Sequence, residues 1–196
     1  MEPQLPHLRT DAQENRDQIL AAASAVFAET GLDVGMREIA RRAGVGPATL
    51  YRRFPTKQAL IDEAFSVELQ ACRAIVTEGC ANPDAWRGFI SVVERLTSLN
   101  VQNRGFVDAF TSSNSVSEII TEHRRELLRM LDRLARRAQQ SGQLRCDFHI
   151  DDLTLMLRAG RGLASGRPEA RAAAARRFAR LAIDAFQAQP TRTPPA

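Results

Sequence analysis

The chain has 196 residues, 44% of them hydrophobic and 6% aromatic, with 27 Lys plus Arg against 23 Asp plus Glu and a formal charge of +4. That is enough for a packed core in one ordinary domain, or in a small domain joined to a medium one. It excludes a transmembrane helix, since no apolar run approaches ~18 residues, and a disulfide framework, since Cys72, Cys80 and Cys146 are odd in number and form no CxxC pair. The first residues, MEPQLPHLRTDAQENRDQ, lack the apolar core of a signal peptide, so a cytosolic location is expected.

Ala, Leu, Arg and Glu dominate and β-branched runs are rare, which favours helix. Nine helices and no strand are predicted between Pro-rich ends. The first spans about Asp11 to Thr30, with Ile19, Ala23, Val26 and Phe27 on one face and Gly31 as a left-handed cap. The second spans Met36 to Ala43 and stops at Gly44. The third spans Pro47 to Phe54, with Pro47 at the first helical position, where its missing N–H costs nothing. Pro55 ends it and Thr56 caps a long fourth helix from Lys57 to about Glu78, carrying Ile61, Phe65, Leu69, Cys72 and Val76 on one stripe, broken by Gly79. A fifth follows over Asp84 to Asn100, a short sixth holds Phe106, Val107 and Phe110, and a polar loop covers Thr111 to Ser115. The seventh spans Val116 to Gln140, the eighth begins near Asp151, and the ninth opens at Pro168. The expected fold is all-α in two parts: residues 1–55, residues 56–190, and a disordered tail at 191–196.

Residues 37–57 hold six basic side chains (Arg37, Arg41, Arg42, Arg52, Arg53 and Lys57, the sole lysine) against one acid, Glu38. A helix-turn-helix needs a small residue where the helices touch, a left-handed glycine four positions on, and an apolar lock six beyond that. Ala40, Gly44 and Leu50 meet these demands, with Ile39 and Val45 filling the shared core. A tight helical hairpin with a dense basic surface suits a phosphate-lined groove.

Here MREIARRAGVGPATLYRRFPTKQAL, Met36 to Leu60, preceded by a helix ending AVFAETGLD, resembles the tetracycline-repressor-type (TetR) family of bacterial regulators. The resemblance implies that the third helix enters the major groove, exposing Pro47, Ala48, Thr49, Tyr51 and Arg52. It implies a phosphate contact for Tyr51 and a second for Lys57 at the start of the fourth helix. Arg37, Arg41 and Arg52 are candidates for base or phosphate contact, since arginine takes guanine O6 and N7 bidentately. The chain departs from the pattern at Gly35, where members often carry a capping Ser or Thr, and at Arg53, where His or another polar residue is frequent.

The family further implies a ligand cavity, for which Phe65, Leu69, Cys72, Trp86, Phe89, Val93, Phe106, Phe110, His123, Leu127 and Met130 are candidate lining, and an apolar or aromatic ligand with few polar anchors. Each of these side chains is equally readable as ordinary core. Cys146, Asp147, His149, Asp151 and Asp152 match no standard zinc spacing and read as a loop with Asp151 capping the eighth helix. The last two helices are expected to pair with their copies across a two-fold axis through Leu157, Gly160, Phe178, Leu181, Ala182 and Phe186. The expected function is a dimeric regulator, a repressor released from a palindromic double-stranded DNA operator by a small molecule. The alternatives are an activator, or a ligand-independent DNA- or partner-binding protein on the same fold. No catalytic triad, paired-carboxylate motif, P-loop or dinucleotide fingerprint appears, so neither enzyme activity nor a cofactor is expected.

Overall fold

The computed structural model describes residues 5–111, 117–164 and 167–189. Ten α-helices are found among them: α1 (Leu5–Thr30), α2 (Met36–Arg42), α3 (Pro47–Arg53), α4 (Lys57–Ala64), α5 (Ser66–Ala81), α6 (Ala85–Asn100), α7 (Arg104–Thr111), α8 (Glu118–Gln140), α9 (Ile150–Ala159) and α10 (Pro168–Phe186). A 3-10 turn, Gly160–Ala164, follows α9. Extended pairing among the described residues is one isolated bridge, Leu144 to Gln187, so the all-helical expectation holds.

Four local expectations are corrected. The long fourth helix is two, because Phe65 leaves helical geometry at φ −104° and ψ 9°. Gly79 does not end a helix but lies inside α5. The eighth helix of the sequence is capped at His149, not Asp151: the Asp152 carboxylate accepts the His149 N–H at 3.1 Å. The first helix starts earlier, at Leu5. Of the expected polar loop only Thr111 is described, and it ends α7; the tail at 191–196 lies outside the described residues.

Close packing groups the chain into two compact units, Met1–Glu68 with Asn103–Thr121, and Leu69–Gln102 with Glu122–Ala196. The division expected at residue 55 followed the end of the turn motif; packing instead takes α4 and α7 in with the N-terminal helices. In the first unit α1 packs on α2, α4 and α7. Its apolar face, Ile19, Ala23, Val26 and Phe27, is buried as its spacing predicts. Phe27, Phe65, Phe106 and Phe110 form a chain of rings with successive centroids 5.6, 5.6 and 5.5 Å apart. Gly105 makes this approach possible, since an added Cβ would stand 2.3 Å from the Phe27 carbonyl oxygen. Arg16 clasps Glu63 through two nitrogens and lies over the Phe54 ring at 5.2 Å, tying α1 to α4.

In the second unit α6 packs on α9 and α10. Trp86 stacks on Phe89 at 5.8 Å, and Phe89, Phe148 and Phe186 meet edge to face at 5.0 to 6.2 Å. α5 and α6 cross where Gly79 faces Gly88; a Cβ on Gly88 would stand 2.3 Å from the Gly79 carbonyl oxygen. Polar groups are matched locally: Asn100 donates to the Leu157 carbonyl at 2.9 Å, and the Gln139 amide reaches the carbonyls of Arg145, Cys146 and Phe148, each at 3.1 Å. No helix among the described residues is long and apolar enough to cross a membrane.

Candidate nucleic-acid interface

The turn between α2 and α3 is built as the sequence demands. Val45 N–H bonds the Ala40 carbonyl at 3.0 Å and Gly44 N–H the Arg41 carbonyl at 3.2 Å, the paired bonds of a Schellman cap. Gly44 supplies the left-handed turn at φ 67°. Ile39, Ala40 and Leu50 are fully buried, while Val45 is half-buried at the edge of that core. Pro47 occupies the first position of α3 behind Gly46, and α2 starts behind Gly35, which offers no side-chain cap.

This hairpin presents Arg37, Pro47, Ala48, Tyr51 and Arg52 to solvent, with Tyr51 47% exposed. Thr49 and Arg53 are half-buried, and the Arg53 Nε is shielded without a hydrogen-bond partner. The six basic residues are not equivalent. Arg41 clasps Glu38 one turn back, Arg42 clasps Glu29 at 2.9 and 3.0 Å, and Lys57 Nζ donates to the Leu32 carbonyl. The hydrogen bond from Arg41 holds the Glu38 carboxyl below the ordinary carboxylate range, and the same bond raises Arg41. Arg37 and Arg52 make no ion pair among the described residues. Exposed pairs contribute little, so Arg41 and Arg42 stay within reach of a phosphate at small cost. Sequence reasoning missed these partners, although Glu38 three positions before Arg41 on one helix is the signal for the first pair.

The candidate effector residues divide between the units. Phe65 and Phe106 are buried and Phe110 half-buried in the ring chain of the first. Leu69, Cys72, Trp86, Phe89, Val93 and Leu127 are buried in the second, with His123 and Met130 half-buried there. Cys72 is a small core residue, whereas burial pushes the Cys80 thiol up from its ordinary value. Burial, followed by the charge of Arg73, lowers His123 below its ordinary value. The unfolded chain therefore takes up the His123 proton first, and stability falls as pH drops below about 6.5. His123→Asn should flatten that part of the acid limb, read from urea midpoints at pH 7.5 and 5.5; an unchanged slope would refute the assignment.

The six candidate dimer residues also separate. Leu181 is 58% exposed and Phe178 half-buried, whereas Leu157 and Phe186 are core and Ala182 is nearly so. Gly160 is packed under Phe178, whose ring would lie 3.1 Å from an added Cβ. The sequence missed Leu155, 65% exposed, because the run LTLML is apolar on every side. Leu155, Met156, Ala159, Phe178, Leu181 and Ala185 line an open apolar groove of about 380 Å³ between α9 and α10.

Residues 19–64 match the family model of bacterial regulatory proteins, tetR family, and residues 84–187 that of the transcriptional regulator SbtR-like C-terminal domain. The HTH-type transcriptional regulator UidR of Escherichia coli K12 is 38% identical over 58 residues, 29% of this chain; the match spans 30% of that protein's length. The TetR transcriptional regulator SCO0520 of Streptomyces coelicolor is 33% identical with a TM-score of 0.53, covering 89% of this chain and 99% of that one. The regulator FadR of Bacillus subtilis, solved with stearoyl-CoA, shares the fold at 17% identity and a TM-score of 0.57, covering 87% of this chain and 99% of that one. With both its turn motif and its C-terminal helices matched, this chain belongs to the tetR family of bacterial transcriptional regulators.

Proposed function

We propose that the protein is a dimeric DNA-binding repressor, released from a palindromic operator by a small, mainly apolar molecule in the cytoplasm. The observation that carries this reading is the joint exposure of Arg37, Tyr51 and Arg52 on a hairpin whose core is closed. Arg37 and Arg52, without ion pairs among the described residues, are the residues for base edges. Tyr51, Lys57, and Arg41 and Arg42 once displaced from their carboxylates, are those for phosphates. Pro47 and Ala48 at the tip of α3 bring no side-chain donor, so their side chains pack against sugar and thymine methyl surface. A dimer repeats this readout on two half-sites.

Selection from a random duplex pool with the full chain should return an inverted repeat. Arg37→Ala and Arg52→Ala should each cost about 1–3 kcal/mol and relax preference at the bases they contact. Enrichment of no repeat, or binding insensitive to sequence, would refute the reading.

For the effector, the support is the apolar character of the candidate side chains and the acyl ligand of a protein with the same fold. Release requires the effector to bind the DNA-incompetent form more tightly, and operator affinity falls by that difference alone. Stearoyl-CoA is a suitable first probe; an effector that binds tightly yet leaves operator affinity unchanged would sink the release mechanism.

A further inference from the structure

Two helix ends lack their usual side-chain partners. α2 has seven residues and begins at Gly35, which has no side chain to accept a first-turn N–H. α1 is a 26-residue helix whose last turn carries no basic residue, although a helix C-terminus is a site of partial negative charge. The link between these ends is held from elsewhere. Lys57, the first residue of α4, sends its ammonium to the carbonyl of Leu32, two residues past the end of α1 and three before Gly35. α4 is itself a firm base, since Thr56 Oγ1 accepts the Ala59 N–H at 3.1 Å. The link between α1 and α2 is only residues 31–35, fixed at its first residue by the Gly31 N–H to the Phe27 carbonyl at 3.0 Å. Holding Leu32 therefore fixes the direction in which the chain enters α2.

The geometry points to Lys57 as a positioning residue for the DNA-contacting end of α2: by anchoring Leu32 it holds the entry to a helix that has no side-chain cap at Gly35, in addition to any contact of its own with phosphate. The bond is charge-assisted and half-buried, so it is stronger than a neutral surface bond. An ammonium has three N–H donors; one serves Leu32 and two remain for DNA. Arg37 lies on the first turn of α2, five residues from Leu32, and its reach depends on where that turn starts. The inference rests on the proposed DNA reading only for its functional consequence, not for the positioning itself.

Gly35 supplies the test. Its φ of −81° and ψ of 152° suit a capping serine, and an added Cβ there meets nothing within 4 Å. Gly35→Ser thus gives α2 its own cap and makes Lys57 dispensable for positioning. Five full-length proteins are compared: the parent, Lys57→Met, Lys57→Gln, Gly35→Ser and the Lys57→Met, Gly35→Ser double variant. Operator affinity is read by fluorescence anisotropy over a salt series, and amide exchange over residues 33–39 in the free protein. Lys57→Met should weaken binding about tenfold and speed exchange in that segment. Gly35→Ser should then restore about fivefold more in the Lys57→Met background than it gains in the parent. Lys57→Gln, which keeps a neutral donor, should retain most of the exchange protection while lowering the salt slope by about one. Multiplicative effects of the two substitutions, with exchange over 33–39 unchanged in Lys57→Met, would overturn the inference and leave Lys57 a phosphate contact only. If none of the five proteins binds DNA, the regulator reading fails, yet the exchange data still decide the positioning role.

Discussion

A chain carrying Leu155→Glu and Leu181→Glu is expected to sediment as a monomer and to lose operator affinity by about two to three orders of magnitude. Both leucines stand mostly in water on the groove between α9 and α10. Burying an exposed leucine contributes about 1.5–3 kcal/mol, and a two-fold interface counts each residue twice. Glutamates there would instead place like charges near one another in a mainly apolar groove, where desolvation is costly. Neither side chain belongs to the internal core, so each protomer should keep its helical content, and its thermal midpoint should fall only by the lost stabilisation of pairing. Sedimentation equilibrium at micromolar concentration and anisotropy with the selected operator check the two halves. A variant that stays dimeric, or a monomer that still binds the full operator like the parent, would show that α9 and α10 are not the pairing face.

Phe89→Ala should cost about 3–5 kcal/mol. Phe89 is fully buried and meets Trp86, Phe148 and Phe186, which arrive from α6, from the loop before α9, and from α10. Its loss removes the ring on which three chain segments converge, and no neighbour can collapse into the space without leaving another ring. Typical stabilities are about 5–15 kcal/mol, so the change removes a large share of the total. Urea unfolding followed by near-ultraviolet circular dichroism, which reports Trp86, should show the midpoint falling accordingly. A cost under about 1 kcal/mol would mean that the cluster is loosely packed.

The parts of the fold written in local backbone chemistry were readable from the sequence. Gly31, Gly44 and Gly142 take positive φ, Pro47 starts a helix and Thr56 caps one, each for reasons contained in a few residues. The break at Phe65 was not readable, because the apolar stripe Ile61, Phe65, Leu69 runs on at helical spacing across it. Packing of the Phe65 ring between Phe27 and Phe106, not any breaker, accompanies that interruption. Gly79 misled for the opposite reason: a glycine looks like a stop unless its partner, Gly88, is known to lie across from it. The cap at His149 was missed because the carboxylate comes from Asp152, three residues inside the helix. At the interface, the hairpin and its exposed face were legible, but the acceptor for Lys57 was not. A backbone carbonyl 25 residues upstream leaves no mark in a sequence.

The crossing of α5 and α6 has a consequence for motion. At Gly79 and Gly88 the two backbones come into contact, with the Val92 methyl closed over Gly79. Sliding either helix by one residue would bring Glu78 or Cys80, or Arg87 or Phe89, to a point with no room even for a methyl group. The pair is therefore a fixed register point: α5 and α6 cannot slide past one another without first moving apart.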